Sequence, residues 1–339
     1  MTPRLAISIG CPCGIGPEVS VAAAKALRGA RALFVGDLGA IRAAARLRGV
    51  REDRFVVVAD GADAWTLPRG LFGVFQPGPA LAAKDRAPGH PTRAAGAAQL
   101  AWVDAACDIV RRGDADALVT GPVSKDAIAG SGAPGARAFL GHTEHLQRRL
   151  RAREVVMAFY GEGLVTSLVT THLPLAAVPR AITKAAVARA TYWLCDLLVH
   201  ARGGAPKIVV CGVNPHAGEA GRLGHDEERA VAPGIGLARE RVARAGLRAT
   251  ITGPMPAESA LRLAAAGTFD GAVAMYHDQA TIAMKLTSFG ECVNVSLGLP
   301  IVRTSVDHGT AYDRAGKGTA DPSGMRGALA LAIKLAPAP

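Results

Sequence analysis

The sequence predicts an α/β protein with two lobes. Short runs of β-branched and apolar residues alternate with alanine-rich helical patterns along nearly the whole chain. The chain has 339 residues, of which 50% are hydrophobic, so it can bury a sizeable core and fits two lobes better than one. Polar motifs also follow directly after several predicted strands, where open α/β sheets place their ligand sites.

The first elements show how the residues lead to this prediction. The apolar run 4–10 predicts a strand that enters a turn rich in Gly and Pro. Pro17 follows at a first helical position, where its missing N–H is tolerated, and the helix is expected to end near Gly29. A strand at 32–37 and a helix at 38–49 come next.

The later elements continue the alternation of strands and helices. Strands are predicted at 54–60, 115–121, 154–160, 164–171, 207–213, 270–276 and 292–300. Helices are predicted at 183–200 and, at the end of the chain, 324–335. The stretch 78–96 is rich in Pro, Gly and charge without periodicity, which predicts a long surface loop that could be a mobile lid or a linker.

Composition and charge limit the class of protein. The net charge of +11 would fit a nucleic-acid partner, but the arginines are spread among alanines and aromatic residues make up only 4%, so no stacking surface is expected. A positive field instead suits an anionic substrate and cofactor. No apolar run approaches the roughly 20 residues of a membrane span, and the first residues lack a signal-peptide pattern, so a soluble cytoplasmic protein is expected.

The six cysteines are scattered, and a chain of this length does not need disulfides to hold its core. They are expected to be reduced thiols. Only Cys11 and Cys13 stand close together, and this Cys-Pro-Cys lacks the second half of a zinc knuckle. Metal binding at this pair is therefore not favoured.

Four polar motifs follow predicted strands. They are TGPVSK at 120–125, THLPL at 171–175, NPHAGE at 214–219 and YHDQ at 276–279. Three of them carry His172, His216 and His277, whose separations match no local metal signature. If they meet at one sheet edge, three imidazoles with an open fourth position form a zinc-type catalytic site that also fits Co or Ni, with Mg disfavoured by ligand softness. The alternative is that they are surface or capping residues.

Several long motifs occur in the order found in one known family. They are GHTE at 141–144, TTHLPL at 170–175, NPHAGE at 214–219, MYHDQ at 275–279 and the segment 298–318. With these motifs, the chain resembles the 4-hydroxythreonine-4-phosphate dehydrogenase family of pyridoxal phosphate biosynthesis over nearly its whole length. The resemblance implies two α/β/α lobes of the isocitrate and isopropylmalate dehydrogenase type, with an active-site cleft between them.

The resemblance also implies a division of the chain and a reaction. Residues 1–125 with 296–339 are expected to form the cofactor-binding lobe, and 126–295 the lobe for substrate, metal and dimerisation. The expected reaction is oxidation of 4-phosphooxy-L-threonine by NAD or NADP, with one divalent ion (Zn, Co or Mg) per site. The product, 2-amino-3-oxo-4-phosphooxybutanoate, then decarboxylates to 3-amino-2-oxopropyl phosphate. The expected assembly is a homodimer that shares each site across its interface, with His277 coming from the opposite chain to His172 and His216.

The candidate site residues fall into four groups. They are His172, His216 and His277 for the metal; His142, Thr143, Lys285, Asn294 and Arg303 for the substrate; His308, Gly309, Ala311 and Asp313 for the cofactor; and Lys125 and Asp278 for catalysis. The metal and substrate residues match those of the family, and the cofactor residues match a turn of the wider isocitrate-dehydrogenase-like group. Lys125 is a candidate from its own motif, with a surface lysine as the alternative. Lys285 and Arg303 fit anion binding, or equally a structural ion pair. A carboxylate at Asp313 would accept from ribose hydroxyls and favour NAD over NADP, unless Arg303 and Arg314 offset the repulsion.

The chain departs from the family pattern in the turn after its first strand. The family usually has an acidic and a small residue where this sequence has Cys11 and Cys13. A same-family dehydrogenase for another phosphorylated hydroxy acid, such as phosphoerythronate or phosphothreonate, is therefore the alternative function. A phosphate acyltransferase of related fold is a further alternative, although it would have no use for the three histidines.

Overall fold

A computed structural model describes residues 2–337 of the chain. The strands are β1 Arg4–Ser8, β2 Arg31–Val35, β3 Phe55–Val57, β4 Phe72–Phe75, β5 Ala117–Thr120, β6 Val156–Tyr160, β7 Val165–Leu168, β8 Lys207–Cys211, β9 Thr250–Met255, β10 Gly271–Ala274, β11 Val293–Leu297 and β12 Val302–Val306. The α-helices are α1 Gly16–Lys25, α2 Leu38–Leu47, α3 Arg93–Arg111, α4 Lys125–Ala129, α5 His142–Arg149, α6 Val178–Ala181, α7 Lys184–Arg202, α8 Ala232–Arg244, α9 Ala257–Ala265, α10 His277–Thr287 and α11 Ser323–Leu335. This confirms the predicted α/β class.

One compact unit combines the chain up to Arg153 with the chain from Leu299 onward. Its strands lie in the order β3-β4-β2-β1-β5-β12, and every pair is parallel. Parallel strands need helical crossovers, which bury both faces of a sheet, and the central strands are accordingly apolar and buried. Gly96 lets α3 approach α4 closely, because an added Cβ would lie 1.9 Å from the Ala127 carbonyl oxygen.

The other compact unit is Glu154–Gly298. Its strands lie in the order β11-β6-β7-β10-β8-β9. The β11–β6 and β6–β7 pairs are antiparallel, whereas β7, β10, β8 and β9 run parallel to one another. A core cluster that includes Met157, Phe159 and Met284 lies in this unit.

Three strands were missing from the sequence prediction. β4 is a short run between Pro and Gly residues, β9 contains Gly253 and Pro254, and β12 carries polar residues, so none shows a clear strand pattern. The predicted loop 78–96 is wrong at its end, because α3 begins at Arg93 with the Thr92 side chain as its cap.

Residues 126–153, which the sequence analysis placed in the second lobe, pack with the first compact unit. Arg149 of α5 forms ion pairs with Asp104 and Asp108 of α3, and His145 lies 2.6 Å from Asp104 Oδ1. The roles given to the two lobes stay a prediction.

All six cysteines are free and buried, as the expectation of reduced thiols requires. Within residues 2–337, no helix combines the length and the apolar character that a membrane span needs.

Candidate active site

Three histidine-bearing loops leave one edge of the second unit's sheet. The strands β7, β10 and β8 are neighbours and run parallel, so their carboxyl ends lie at the same edge. His172 follows β7, His277 begins α10 after β10, and His216 follows β8. The structure thus brings the three predicted loops to one edge, while the metal-binding role of the histidines stays a prediction.

His172 and His277 approach each other within one chain. Their ring centroids lie 5.6 Å apart. His277 Nδ1 lies 2.7 Å from Asp278 Oδ1, and a carboxylate in this position favours a proton on Nδ1 and leaves Nε2 free to bind a ligand. Asp278, predicted to be catalytic, is therefore placed to orient His277. Among residues 2–337 of a single chain, no group of three His, Cys, Asp or Glu side chains is arranged to hold a metal ion.

His216 lies on a strained loop. Both His216 and Ala217 adopt a φ of 52°, and Glu219 follows at 44°, in the left-handed region that non-glycine residues rarely occupy. Such strain persists only where surrounding contacts hold the backbone, and it concentrates at functional sites.

A buried carboxylate supplies those contacts. Glu227 is 4% exposed and accepts hydrogen bonds from the backbone N–H groups of Val213 and Asn214 at 2.7 and 2.8 Å, and from the Asn214 side chain at 2.9 Å. Gln279 joins two of the loops, since it accepts from the Met275 N–H at 2.7 Å and donates to the Gly212 carbonyl at 3.1 Å.

Two predicted substrate residues also belong to the second unit. Lys285 lies exposed on α10, two turns beyond His277, and the half-buried Asn294 lies on β11. A spacing of eight residues puts Lys285 on the same side of the helix as His277. Their contact with substrate stays a prediction.

The other predicted substrate residues lie in the first unit, with Lys125. His142 and Thr143 form the first turn of α5, and a Cβ added at the preceding Gly141 would lie 3.7 Å from Lys125 Nζ. Arg303 is 3% exposed and donates to Thr120 Oγ1 at 2.7 Å. Thr120 Oγ1 in turn donates to Ser305 Oγ at 3.0 Å. This chain of hydrogen bonds fixes one edge of the guanidinium.

Burial controls the charge of these groups. It lowers the pKa of His142 well below 6.5, and the positive charges of Arg303, His145 and Lys125 lower it further, so this imidazole is neutral at pH 7. Burial also lowers the pKa of Arg303 to about 9, which leaves the guanidinium charged. His142 Nε2 is buried and has no hydrogen-bond partner within the described part of the chain. The neutral His142 imidazole thus lies near the charged Arg303 and Lys125. This combination suits a ligand that carries both a negative charge and hydroxyl groups.

The predicted cofactor residues lie in the loop after β12. His308 Nδ1 lies 3.0 Å from the Gly309 carbonyl oxygen, while its Nε2 is buried without a partner among residues 2–337. Ala311 has a strained φ of 43°. Asp313 is exposed and pairs with Arg314 at 3.7 Å. The cofactor-binding role of these four residues stays a prediction.

Glu18, which the sequence analysis did not single out, holds the end of this loop. It is 3% exposed and accepts from the backbone N–H groups of Gly316 at 2.7 Å and Gly318 at 2.9 Å. Because 298 residues separate Glu18 from Gly316, no local pattern could reveal the contact. The sequence analysis did not single out Glu227, Gln279 or Thr120 either, although Gln279 and Thr120 stand inside quoted motifs.

We expect Glu18→Gln to lower the free energy of unfolding by about 1–3 kcal/mol, because the amide turns an N–H toward a buried backbone donor. Urea denaturation measures the change. Glu258→Gln is the matched control, since Glu258 also lies in the first turn of a helix but is exposed. Equal stability of the two variants would refute the structural role of Glu18.

The sequence is similar to one family of known proteins over nearly its whole length. The family model described as pyridoxal phosphate biosynthetic protein PdxA matches residues 29–332. A curated 4-hydroxythreonine-4-phosphate dehydrogenase from Desulfosudis oleivorans is 38% identical over 335 residues, which cover 98% of this chain and 95% of the relative.

The structure is also similar to solved structures over nearly the whole chain. The crystal structure of 4-hydroxythreonine-4-phosphate dehydrogenase from Klebsiella pneumoniae matches with a TM-score of 0.82 and 31% identity, covering 98% of this chain and 99% of that one. A terephthalate 1,2-cis-dihydrodiol dehydrogenase from Burkholderia xenovorans matches with a TM-score of 0.67 and 31% identity, covering 98% of both chains.

Proposed function

The chain belongs to the pyridoxal phosphate biosynthetic protein PdxA family, and from that premise we propose that it oxidises 4-phosphooxy-L-threonine with NAD or NADP. The product, 2-amino-3-oxo-4-phosphooxybutanoate, loses carbon dioxide to give 3-amino-2-oxopropyl phosphate. The observation that carries the proposal is the full-length likeness to 4-hydroxythreonine-4-phosphate dehydrogenases. The histidine loops at one sheet edge support it.

His172, His216 and His277 are the residues that would hold a divalent metal. The 5.6 Å approach of two rings and the Asp278 carboxylate on His277 fit this role. Three imidazoles suit Zn or Co better than Mg. When bound, such an ion lowers the pKa of a hydroxyl at its open position and stabilises the charge that develops as carbon dioxide leaves.

The side chains of the first unit bind and orient the substrate. The charged Arg303 fork suits a phosphate or carboxylate, and neutral His142 offers Nε2 to a substrate hydroxyl. Lys125 lies beside the start of α5 and is our candidate for holding or moving a proton.

His308, Gly309, Ala311 and Asp313 are the residues that would hold the adenosine half of a nicotinamide cofactor, which would supply the hydride acceptor when bound. An exposed carboxylate at Asp313 favours NAD, because it repels the 2′-phosphate of NADP. The charge of neighbouring Arg314 works against this preference.

We further propose a homodimer in the cytoplasm. Ile282 and Leu286 are 61% and 83% exposed and lie on one face of α10, the helix that His277 begins. Phe289, just beyond the end of this helix, is 83% exposed. Exposed apolar patches of this kind mark protein interfaces. A second copy of the chain would cover this face and complete the histidine set. The free cysteines fit a reducing compartment.

We expect Glu227→Gln to weaken metal binding about 10- to 100-fold, because it disturbs the loop that carries His216. Titration with Zn²⁺ against a competing chelator measures the affinity. Glu228→Gln is the control, since the neighbouring Glu228 side chain is 64% exposed. If both variants bound Zn²⁺ like the unmodified chain, Glu227 would have no part in positioning His216.

The function is tested by following NADH or NADPH formation with a panel of phosphorylated hydroxy acids, each with and without added metal. We expect turnover with 4-phosphooxy-L-threonine that chelation abolishes. Oxidation of another panel member in preference to it would overturn the substrate assignment and favour the alternative within the family.

The likeness to a dihydrodiol dehydrogenase favours adding one non-phosphorylated substrate to this panel. That relative is as similar in sequence as the Klebsiella enzyme, so sequence identity alone does not separate the two substrates. Oxidation of a cis-dihydrodiol without activity on any phosphorylated acid would establish this second function.

A further inference from the structure

A cavity of about 460 Å³ lies in the first unit, apart from the candidate active site. It lies at the amino ends of three parallel strands, since its lining includes Arg31 at the start of β2, Phe72 at the start of β4 and Arg54 just before β3. Lys125 and the predicted cofactor loop follow the carboxyl ends of β5 and β12. These are opposite edges of the parallel sheet, so the proposed reaction leaves this cavity without a role.

Five positively charged side chains line the cavity, and no aspartate or glutamate does. The five are Lys25, Arg28, Arg31, Arg54 and Arg69. None of them forms an ion pair within residues 2–337, although arginines nearby in the chain do, since Arg46 pairs with Glu52 and Arg51 with Asp53. Like charges that share a cavity repel one another. A ligand that neutralises them is therefore expected to be an anion.

We propose that this cavity is a binding site for a polyphosphate anion, either free or as part of a nucleotide. Several cations around one cavity suit a ligand with several negative charges, and guanidinium groups bind phosphate oxygens through paired hydrogen bonds. The volume falls in the range of roughly 300–1,000 Å³ that is typical of small-molecule sites. A single phosphate would fill only part of this volume and would offset fewer of the five charges.

The fold holds two of the arginines in place. Arg31 donates to two backbone carbonyls of the segment 65–67. Arg54 donates from Nε to the Gly70 carbonyl at 2.6 Å, and its guanidinium carbon lies 4.8 Å from the centre of the Phe72 ring. The two terminal nitrogens of Arg54 keep their donors free of partners in the described part of the chain. A guanidinium fixed in this way loses little conformational entropy when it binds an anion.

The other three cations are exposed side chains of the cavity lining. Lys25 Nζ donates to the Gly49 carbonyl at 3.3 Å, and Arg28 donates to the Leu27 carbonyl at 3.0 Å. Arg69 has no hydrogen-bond or ion-pair partner between residues 2 and 337. These three side chains therefore keep donors available for the oxygens of an anion.

The end of α1 also lines the cavity and works against an anion. Ala24 and Lys25 belong to the lining, and the carboxyl end of a helix carries about half a unit of negative charge. The N–H groups of Ala26 and Leu27 already donate to the carbonyls of Ala23 and Ala24, which satisfies part of this helix end. Five full positive charges outweigh the remainder.

The test is isothermal titration calorimetry of the metal-free, full-length protein with sodium tripolyphosphate as the probe. Metal-free protein is used because tripolyphosphate chelates divalent ions. We expect binding at low ionic strength that weakens as salt is added, since salt screens exposed charges. Orthophosphate is expected to bind at least about tenfold more weakly, because it meets fewer of the cations.

The double variant Arg28→Ala/Arg69→Ala removes two exposed charges of the cavity. We expect it to bind tripolyphosphate at least about tenfold more weakly, because hydrogen bonds to charged groups are lost. The matched control is Arg42→Ala/Arg248→Ala, which removes two exposed arginines outside the cavity and should bind like the unmodified protein. Circular dichroism checks that each variant is folded. If the double variant does not fold, Arg69→Glu at its exposed position provides the same comparison.

ATP, used as a further probe, distinguishes the two sources of a polyphosphate. Tighter binding of ATP than of tripolyphosphate would show that a nucleotide is the ligand, with its base against the apolar Leu27 and Leu71 of the lining. Equal or weaker binding of ATP would favour a free polyphosphate. Both results support the site.

Three results would overturn the proposal. They are no binding of tripolyphosphate, orthophosphate binding as tight as that of tripolyphosphate, and equal weakening in the cavity variant and its control. Binding that is lost in Arg303→Lys but kept in Arg28→Ala/Arg69→Ala would also overturn it, because the anion would then lie at the candidate active site. The titration needs no turnover, so its result is independent of the proposed function.

Discussion

Replacing His277 by alanine is expected to lower kcat/KM by at least about three orders of magnitude, because the metal contributes several kcal/mol to the transition state and its site would lose a ligand. The same result is expected for His172→Ala and His216→Ala. Atomic absorption measures the metal content of each variant, and circular dichroism shows whether the variant is folded. Both measurements accompany the kinetics. A folded His277→Ala protein with unchanged metal content and rate would show that His277 is not a ligand.

Mixing the inactive variants in pairs, after unfolding and refolding, tests whether the site is shared between chains. Each shared site takes some of its histidines from one chain and the rest from the other. In a mixed dimer, one complete site forms only if the two mutated histidines are ones that different chains contribute to a site. About a quarter of the unmodified activity is then expected with random pairing. If His277 comes from the opposite chain, His172→Ala with His216→Ala is the one pairing that fails.

The structure requires that each of the three variants be mixed with each of the others. Since the His172 and His277 rings approach to 5.6 Å within one chain, the competing arrangement takes His216 from the opposite chain. In that case His172→Ala with His277→Ala is the pairing that fails. Failure of every pairing, with mixed dimers shown by mass spectrometry, would mean that each site is built within a single chain.

Replacing Arg303 by lysine is expected to lower kcat/KM about 100-fold, mainly through a higher KM. Lysine keeps the positive charge but loses the planar fork, and charge-assisted hydrogen bonds of this kind contribute about 1.5–3 kcal/mol. The buried position limits replacement of the lost contacts by water.

The control for Arg303→Lys is Arg326→Lys, at an exposed position on α11. Thermal unfolding separates a loss of substrate binding from a loss of fold. Unchanged kcat and KM in a folded Arg303→Lys protein would return Arg303 to the structural role that the sequence left open.

The sequence predicted the parts of the structure that depend on local pattern. Short apolar and β-branched runs identified most of the strands, and the polar motifs after β7, β8 and β10 indicated one sheet edge before the strand order was known. The strand β9 was missed because Gly253 and Pro254 obscure its pattern. The sequence did not indicate that residues 126–153 pack with the first compact unit, because the ion pairs of α5 with α3 are tertiary contacts.

The supporting residues of the candidate site could not be predicted in this way. Glu18 and Glu227 each satisfy backbone N–H groups of a distant or strained loop, and a buried carboxylate looks like any other glutamate in one sequence. Their roles follow from burial and from hydrogen-bond partners, which only the folded chain reveals.

The order of the two units along the chain bears on synthesis at the ribosome. The unit Glu154–Gly298 is contiguous and emerges whole, whereas the first unit must wait for β12, which pairs with β5, and for α11. Until those last residues emerge, β5 presents an unpaired edge to the cell, and Glu18 lacks the glycine N–H groups that it will bind. The nascent chain can therefore complete its middle before its beginning, with a folded second unit tethered to an unfinished first one.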